Sequence, residues 1–336
     1  MEFSLLIPTL QAEKQLPCLL ASMRKQTVCP AEVIVIDSSS LDRTAALALE
    51  AGCRVHTIPR GQFRHGRSRN LAASMATKDL IVFLTQDVLP ADDQCLERLL
   101  KPLSERQASA AYARQIAYPD APPPERFLRE FNYPEQTQLR TLEDLPRLGI
   151  KTFMFSNVAS AVQRKVLTSL GGFCNKVIMN EDMLFCSRLL RAGFTVAYQA
   201  DAVVYHSHRY SLSTQFARYF DIGVFQSQSG TALAGAKVTS TGHRFAVEQL
   251  AYLARCRAWR WLPHTTAALG LKLAAYRLGQ RHQLLPRCLK RRLSLHSTYW
   301  AKDFGHETDF DGMNQPESRL PDGSATATLS RPKQEA

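Results

Sequence analysis

Early in the chain, two acids stand at matching places. Val33-Ile-Val-Ile36 runs into Asp37, and Leu80-Ile-Val-Phe-Leu84 runs through Thr85-Gln86 into Asp87. Short runs that are apolar on both faces read as interior strands of a parallel sheet. In such sheets the ligand crevice lies beyond the carboxyl ends of the strands. A carboxylate placed there can hold a hard cation against a phosphate. A third run, Phe3 to Ile7, ends at Pro8-Thr9, so Thr9, Asp37 and Asp87 are expected along one sheet edge. Taken singly, either acid could cap a helix or start a turn. Their repetition in consecutive strand–helix units favours a site.

Three further groups could do chemistry. Glu181-Asp182 opens an expected helix. Capping would explain an acidic pair there, but a carboxylate beside an apolar face and a second acid can also keep a pKa suited to taking a hydroxyl proton. His206 and His208 follow a strand and share a face by strand period, as metal ligands or as hydrogen-bonded structural residues. Gly66 with Arg67 and Arg69 opens another helix, whose first amides can hold phosphate. Cations in a first turn oppose the helix dipole unless they meet an anion or a base edge; a solvated basic turn is the alternative.

The elements that must position these groups alternate. Strands are expected at Phe3–Ile7, Glu32–Asp37, Arg54–Ile58, Leu80–Leu84 and Ala108–Ala117. Helices are expected near Glu13–Lys25, Asp42–Ala51, Arg67–Ala76 and Ala91–Leu100, the pattern of a right-handed parallel α/β sheet. Glu125–Ile150 reads as irregular, with a short helix at Arg126–Phe131, and has the length of a functional lid. A strand is expected over Phe153–Val162, then helices at Arg164–Leu170 and Glu181–Ala192 and strands at Thr195–Tyr198 and Ala202–Tyr205. From Leu212 to about Arg292 the chain reads as helical, and the tail beyond Gly305 as disordered.

These motifs together resemble the family 2 glycosyltransferases, which have the GT-A fold, over roughly residues 2–228. The resemblance implies roles. Pro8 and Thr9 would line the nucleotide pocket, Asp37 would bind the pyrimidine, and Arg69-Asn70 would hold the base or diphosphate. Thr85-Gln86-Asp87 stands where the family has D-x-D; its first acid is missing, which leaves Asp87 to bind Mg²⁺ or Mn²⁺. Asp182, with Glu181 beside it, would supply the base, and His206, ahead of His208, would complete the metal site. A narrower set looks like bacterial rhamnosyltransferases that use dTDP-L-rhamnose to build O-antigen and other surface polysaccharides. It comprises Phe63-x-His65-Gly66-x-x-Arg69-Asn70, the Thr85-Gln86-Asp87 version of the metal motif, Ser156-Asn157-Val158 and Tyr205-His-Ser-His208 leading to Arg218-Tyr-Phe-Asp221-Ile-Gly223. It puts His65 and Asn157 in the donor/acceptor pocket. The implied partners are a nucleotide-sugar donor and a glycan or polyprenyl-linked acceptor.

Bulk properties bound the rest. The 336 residues carry a net charge of +12, unevenly spread. Gln249–Lys302 holds eleven Lys and Arg and no acid, against about +5 for the preceding residues and −4 for the tail. Segregated charge of this kind marks a surface that meets an anion. Leu285, Leu289 and Leu293 would form the apolar face of a basic helix with Arg287, Lys290 and Arg291 opposite, suited to an anionic membrane. The expected organisation is a nucleotide-sugar transferase domain over 1–228, a basic helical membrane-associating region over 229–302 and a tail over 303–336. The eight cysteines lack a C-x-x-C pair, Met1 leads directly into a strand, and no apolar run is long enough to span a bilayer. A cytoplasmic protein, peripheral on the inner membrane face, is the expectation. Nucleic-acid binding is not expected, since no recognition motif accompanies the basic stretch. A sugar-nucleotide pyrophosphorylase and a non-catalytic membrane adaptor are the alternatives.

Overall fold

The computed structural model describes residues 1–236 and 239–301. Lys302 and the expected disordered tail lie outside the described residues. The first half is a regular alternation: β1 (Phe3–Thr9), α1 (Leu16–Met23), β2 (Glu32–Asp37), α2 (Thr44–Glu50), β3 (Arg54–Thr57), α3 (His65–Met75), β4 (Leu80–Leu84), β5 (Leu89–Pro90), α4 (Cys95–Ser104) and β6 (Ala110–Ile116). Then come α5 (Pro123–Asn132), β7 (Gln138–Arg140), α6 (Leu145–Leu148), β8 (Ala159–Gln163), α7 (Arg164–Ser169), α8 (Glu181–Arg191) and β9 (Val196–Tyr205). The remainder is helical: α9 (Leu212–Gln228), α10 (Thr239–Arg255), α11 (Leu262–Gln280) and α12 (Arg287–Leu293).

Among the described residues one nine-stranded sheet runs in the order β3-β2-β1-β4-β8-β6-β9-β5, with β7 on β9. Strands β1 to β4 are parallel, as the buried apolar runs require. The direction reverses at β8, which lies antiparallel to both β4 and β6. Period-two alternation distributes β1 between two cores. Phe3, Leu5 and Ile7 pack with α1 and α4, while Leu6 joins Ile34, Ile36 and the apolar face of α8 on the other side.

Several expectations change. The strand expected from Phe153 begins only at Ala159, which leaves Ser156 and Asn157 in the loop that leads into it. The two strands expected after Thr195 are one ten-residue strand, whose pairing with β6 shifts register between Ala113 and Arg114. That irregularity is why the sequence pattern seemed interrupted. The segment expected to be irregular holds α5, in which Phe127 is buried against Phe245 and Tyr252 of α10. All eight cysteines are free thiols.

The C-terminal helices share the larger core rather than standing apart. Ala275 belongs to it, with Leu278, Leu285, Leu293, Tyr299 and Trp300 packed against it. The expected membrane-facing stripe is therefore corrected. Leu285 and Leu293 turn inward, and only Leu289 of the three is exposed. The expected helix is also shorter, because Pro286 sets its start. Helices α9 and α11 meet glycine to glycine. A Cβ on Gly223 would stand 2.2 Å from the Tyr276 carbonyl oxygen, and one on Gly279 would stand 2.0 Å from that of Phe220. Gly279→Ala should therefore force the helices apart and cost about 1–3 kcal/mol, read as a lower urea midpoint. An unchanged midpoint would mean that this contact is not tight.

Candidate active site

The reversal between β4 and β8 places two kinds of acid at one cavity of about 980 Å³. From the parallel half come Thr85 and Asp87, from β9 and its exit His206 and His208, and from the start of α8 Glu181 and Asp182. Arg218 of α9 and Trp261 and Lys272 near and on α11 close the far side.

Asp87, His206 and His208 form a cluster whose ligand-capable atoms lie within 4.8 Å of one another. The Asp87 Oδ2 is 3.5 Å from His206 Nε2 and 3.6 Å from His208 Nε2. These distances are long for hydrogen bonds. They suit two ligand atoms held about 2.1 Å from a shared cation, which stand about 3–3.5 Å apart. Burial opposes charge on Asp87, but His206 above all holds its carboxyl well below the usual range. Burial and the neighbouring His206 push His208 down to about 4, so its imidazole stays neutral and able to ligate.

The tautomer of His206 follows from its neighbours. Its Nδ1 lies 2.9 Å from Gln115 Oε1. The same oxygen accepts from Arg129 Nη1 at 2.8 Å, and Gln115 Nε2 donates to Ser156 Oγ at 2.8 Å. Arginine only donates, so the Gln115 oxygen must face it, and His206 Nδ1 must carry a proton. The Nε2 lone pair is then left for the cluster. The residues present fit a divalent ion. Gln115 was missed by sequence reading, although a buried polar side chain within an apolar strand was a usable signal.

The acidic pair divides into unlike groups. Glu181 is buried and ion-paired to Arg69, with side-chain exposures of 6% and 5%. Burial disfavours its charge, but the Arg69 guanidinium outweighs that and holds its carboxyl below the usual range. Asp182 accepts from the backbone of Asn157 at 3.3 Å and of Met183 at 2.8 Å. Burial, and then the charge of Glu181, raise its pKa to about 7.

Other expected residues are placed differently. Arg69 faces the cavity, but its guanidinium is committed to Glu181. Asn70 does not line it; its amide donates to the Phe173 carbonyl at 2.8 Å and accepts from the Phe173 amide at 2.8 Å. The pair thus braces the site through protein contacts. Gly66 is required by contact, since a Cβ would stand 2.1 Å from the Cys174 carbonyl oxygen. Asn157 lines the cavity yet bonds Ser160 at 2.9 Å and lies 3.5 Å from Glu181. Thr9 and Asp37 are opposite one another in register, with Thr9 Oγ1 donating to Asp37 at 3.2 Å. Ser40 also donates to Asp37, at 2.6 Å from its hydroxyl. Gln86, where the first acid of a D-x-D would stand, clamps the loop after β1 through the Leu10 amide at 2.7 Å and carbonyl at 3.1 Å. Pro8, Thr9, Asp37 and Gln86 thus form an edge beside the cavity rather than its lining.

A parallel nucleotide-binding half joined to an antiparallel half, with an acid–histidine cluster at the junction, is a GT-A layout. Solved structures share it. The S. aureus TarS 1–349 structure superimposes with a TM-score of 0.53 at 18% identity, covering 87% of this chain and 86% of that one. A mannosyltransferase from Pyrobaculum calidifontis, in complex with GDP-Man and Mn²⁺, gives a TM-score of 0.53 at 16% identity, covering 89% and 84%. In sequence, residues 4–171 match the profile of Glycosyl transferase family 2. The O-antigen chain rhamnosyltransferase RfbN of Salmonella typhimurium is 36% identical over 307 residues, 89% of this chain and 96% of the relative. WbaN of Salmonella anatum, another O-antigen chain rhamnosyltransferase, is 35% identical over 305 residues, covering 89% and 95%. The chain belongs to glycosyl transferase family 2, and the pyrophosphorylase and adaptor readings are not favoured.

If Gln115 fixes the His206 tautomer, Gln115→Leu should weaken Mn²⁺ binding about 10–100-fold without unfolding the protein. Titration of Mn²⁺ into the purified variant measures this; wild-type affinity would remove Gln115 from the metal site.

Proposed function

We propose that this enzyme transfers L-rhamnose from dTDP-L-rhamnose to a hydroxyl of a glycan or lipid-linked acceptor in surface polysaccharide synthesis, with inversion. One observation carries the mechanism. Asp182, with its pKa raised to about 7, shares one cavity with the Asp87–His206–His208 cluster. The sugar and the pathway rest on the names of the relatives.

The roles follow from the chemistry of each residue. Thr9 and Asp37 hold the nucleobase end at the edge of the parallel strands. Asp87, His206 and His208 would hold a divalent ion, Mg²⁺ or Mn²⁺, which would supply neutralisation of the charge on the departing diphosphate. Arg218, which also faces the cavity, adds a positive charge from α9. Asp182 takes the acceptor hydroxyl proton as that oxygen bonds to the anomeric carbon and the bond to the diphosphate oxygen breaks. Glu181 stays charged against Arg69 and keeps Asp182 basic enough for the task. One displacement suffices, so no covalent sugar intermediate is required.

Turnover needs the unprotonated Asp182 carboxylate. The rate should therefore rise with pH through about 7 and fall below it. Asp182→Asn should lose about 10²–10⁴-fold in kcat while still binding dTDP. A screen of sugar nucleotides with Mg²⁺ or Mn²⁺, followed by this pH profile, checks both. Transfer from another sugar nucleotide alone would correct the donor, and an active Asp182→Asn would remove the base.

The C-terminal cations support a proposed place at the inner, cytoplasmic face of an anionic membrane. Among the described residues no helix is long and apolar enough to cross a membrane. Arg255, Arg257 and Arg260 are exposed around Trp259, which is 59% exposed. Each cation can contribute on the order of 1 kcal/mol at an anionic surface, screened by salt. Changing these three arginines to Gln should release the protein from phosphatidylserine vesicles in flotation at low salt. Equal, salt-insensitive binding to neutral and anionic vesicles would sink the idea.

A further inference from the structure

Two histidines from distant parts of the chain meet inside the catalytic cavity. His65 opens α3, and His296 follows α12. Both line the cavity that holds Asp182 and Arg218. Their rings meet edge to face, with centroids 5.4 Å apart. Neither ring makes a hydrogen bond to another described residue, in contrast to His206. Both residues are half-buried and stand on the cavity wall. The wall thus carries ring donors and acceptors that no hydrogen-bond partner among the described residues takes up.

The chain takes trouble to deliver His296. Asp221 of α9, fully buried, accepts from the Leu295 amide at 2.9 Å. The Ser294 hydroxyl accepts from the His296 amide at 2.9 Å. Arg64, next to His65, donates to the Thr298 carbonyl at 3.1 Å. The Tyr299 hydroxyl donates to the Lys176 carbonyl at 3.2 Å. These bonds tie the segment after α12 across the transferase fold at both sides of His296. His65 is fixed by the tight contact of Gly66 on Cys174.

We infer that His65 and His296 form a carbohydrate subsite that reads ring hydroxyls of the sugar bound beside Asp182. The inference rests on the glycosyltransferase reading and names the residues that recognise its substrate. Charge argues for hydroxyls over phosphate. Burial lowers the pKa of His65 and, as the largest cause, brings that of His296 to about 4, so burial favours the neutral form of both rings. Of the cations that act on the rings, Arg69 is already paired with Glu181; Arg218, across the cavity, acts on both. A neutral imidazole offers one donor and one acceptor, which matches a hydroxyl. Two imidazoles at an angle can address neighbouring hydroxyls on one ring. The chemistry is the same for the transferred sugar and for the sugar that receives it.

The test compares His296→Phe, which keeps the ring contact with His65, and His296→Gln, which restores a donor and an acceptor. Each is assayed with dTDP-L-rhamnose and a panel of alkyl glycosides as acceptors, alongside dTDP binding and thermal midpoint. His296→Phe should lose about 10-fold or more in kcat/KM, the effect of a missing hydrogen bond. His296→Gln should recover part of it, and dTDP affinity and midpoint should stay at wild type. A weaker affinity for dTDP-L-rhamnose assigns the subsite to the donor sugar. A raised acceptor KM with unchanged donor affinity assigns it to the acceptor sugar. Wild-type kinetics in His296→Phe, or a loss of kcat/KM accompanied by matching losses of dTDP affinity and midpoint, would overturn the subsite while leaving the transferase reading intact. A wild-type protein that transfers sugar from no nucleotide donor would overturn that reading, and the subsite with it.

Discussion

The site depends on one buried ion pair, Arg69 with Glu181. Charges removed from water are tolerable only when paired and hydrogen-bonded. The pair therefore fixes the second turn of α3 against the first turn of α8, two elements far apart in sequence. Asn157, from the loop before β8, approaches the same carboxylate. Three segments of the fold thus converge on one charge. The consequence falls on the next residue. Asp182 cannot share the stabilisation of Arg69 fully, and the fixed charge of Glu181 beside it raises its pKa. Losing one partner of such a pair leaves an uncompensated buried charge, which is worse than losing both.

The division of the sheet does the remaining work. Parallel strands β1, β2 and β4 end together and supply Thr9, Asp37 and Asp87. The antiparallel strand β8 and the returning β9 bring the histidines and the α8 acids to the same end. Gln86 stands where the motif lacks its first acid. Its amide holds the β1 loop in place, and His206 and His208 lie beside Asp87, where the proposed ion would find its remaining ligands. Gln115 orients one of those histidines from β6. The C-terminal helices then close the cavity, and the glycine contact between α9 and α11 sets how near they come.

Much of this was legible in the sequence where the signal was local. Asp37, Asp87, Glu181, Asp182 and the two histidines each sit at the end of a periodic element, and periodicity places element ends on one side of a sheet. The parallel half followed from its apolar runs for the same reason. What failed was information held in tertiary contacts. The protein partners of Arg69 and Asn70 were not visible in the sequence, because Glu181 and Phe173 lie about a hundred positions away. The leucines at 285 and 293 carry the same pattern whether they face lipid or the core, so the stripe alone could not decide. His296 sits within a cation-rich stretch with no local motif, and only Asp221 and Arg64 reveal where it goes.

The central claim is a single displacement in which Asp182 activates the acceptor and no residue bonds to the sugar. The anomeric configuration of the product tests it most directly. Purified enzyme, dTDP-L-rhamnose and a soluble acceptor are incubated with Mg²⁺, and the new glycosidic linkage is assigned by NMR. The account predicts a linkage opposite in configuration to that of the donor. A linkage of retained configuration would contradict it and would require a nucleophile that these residues do not supply.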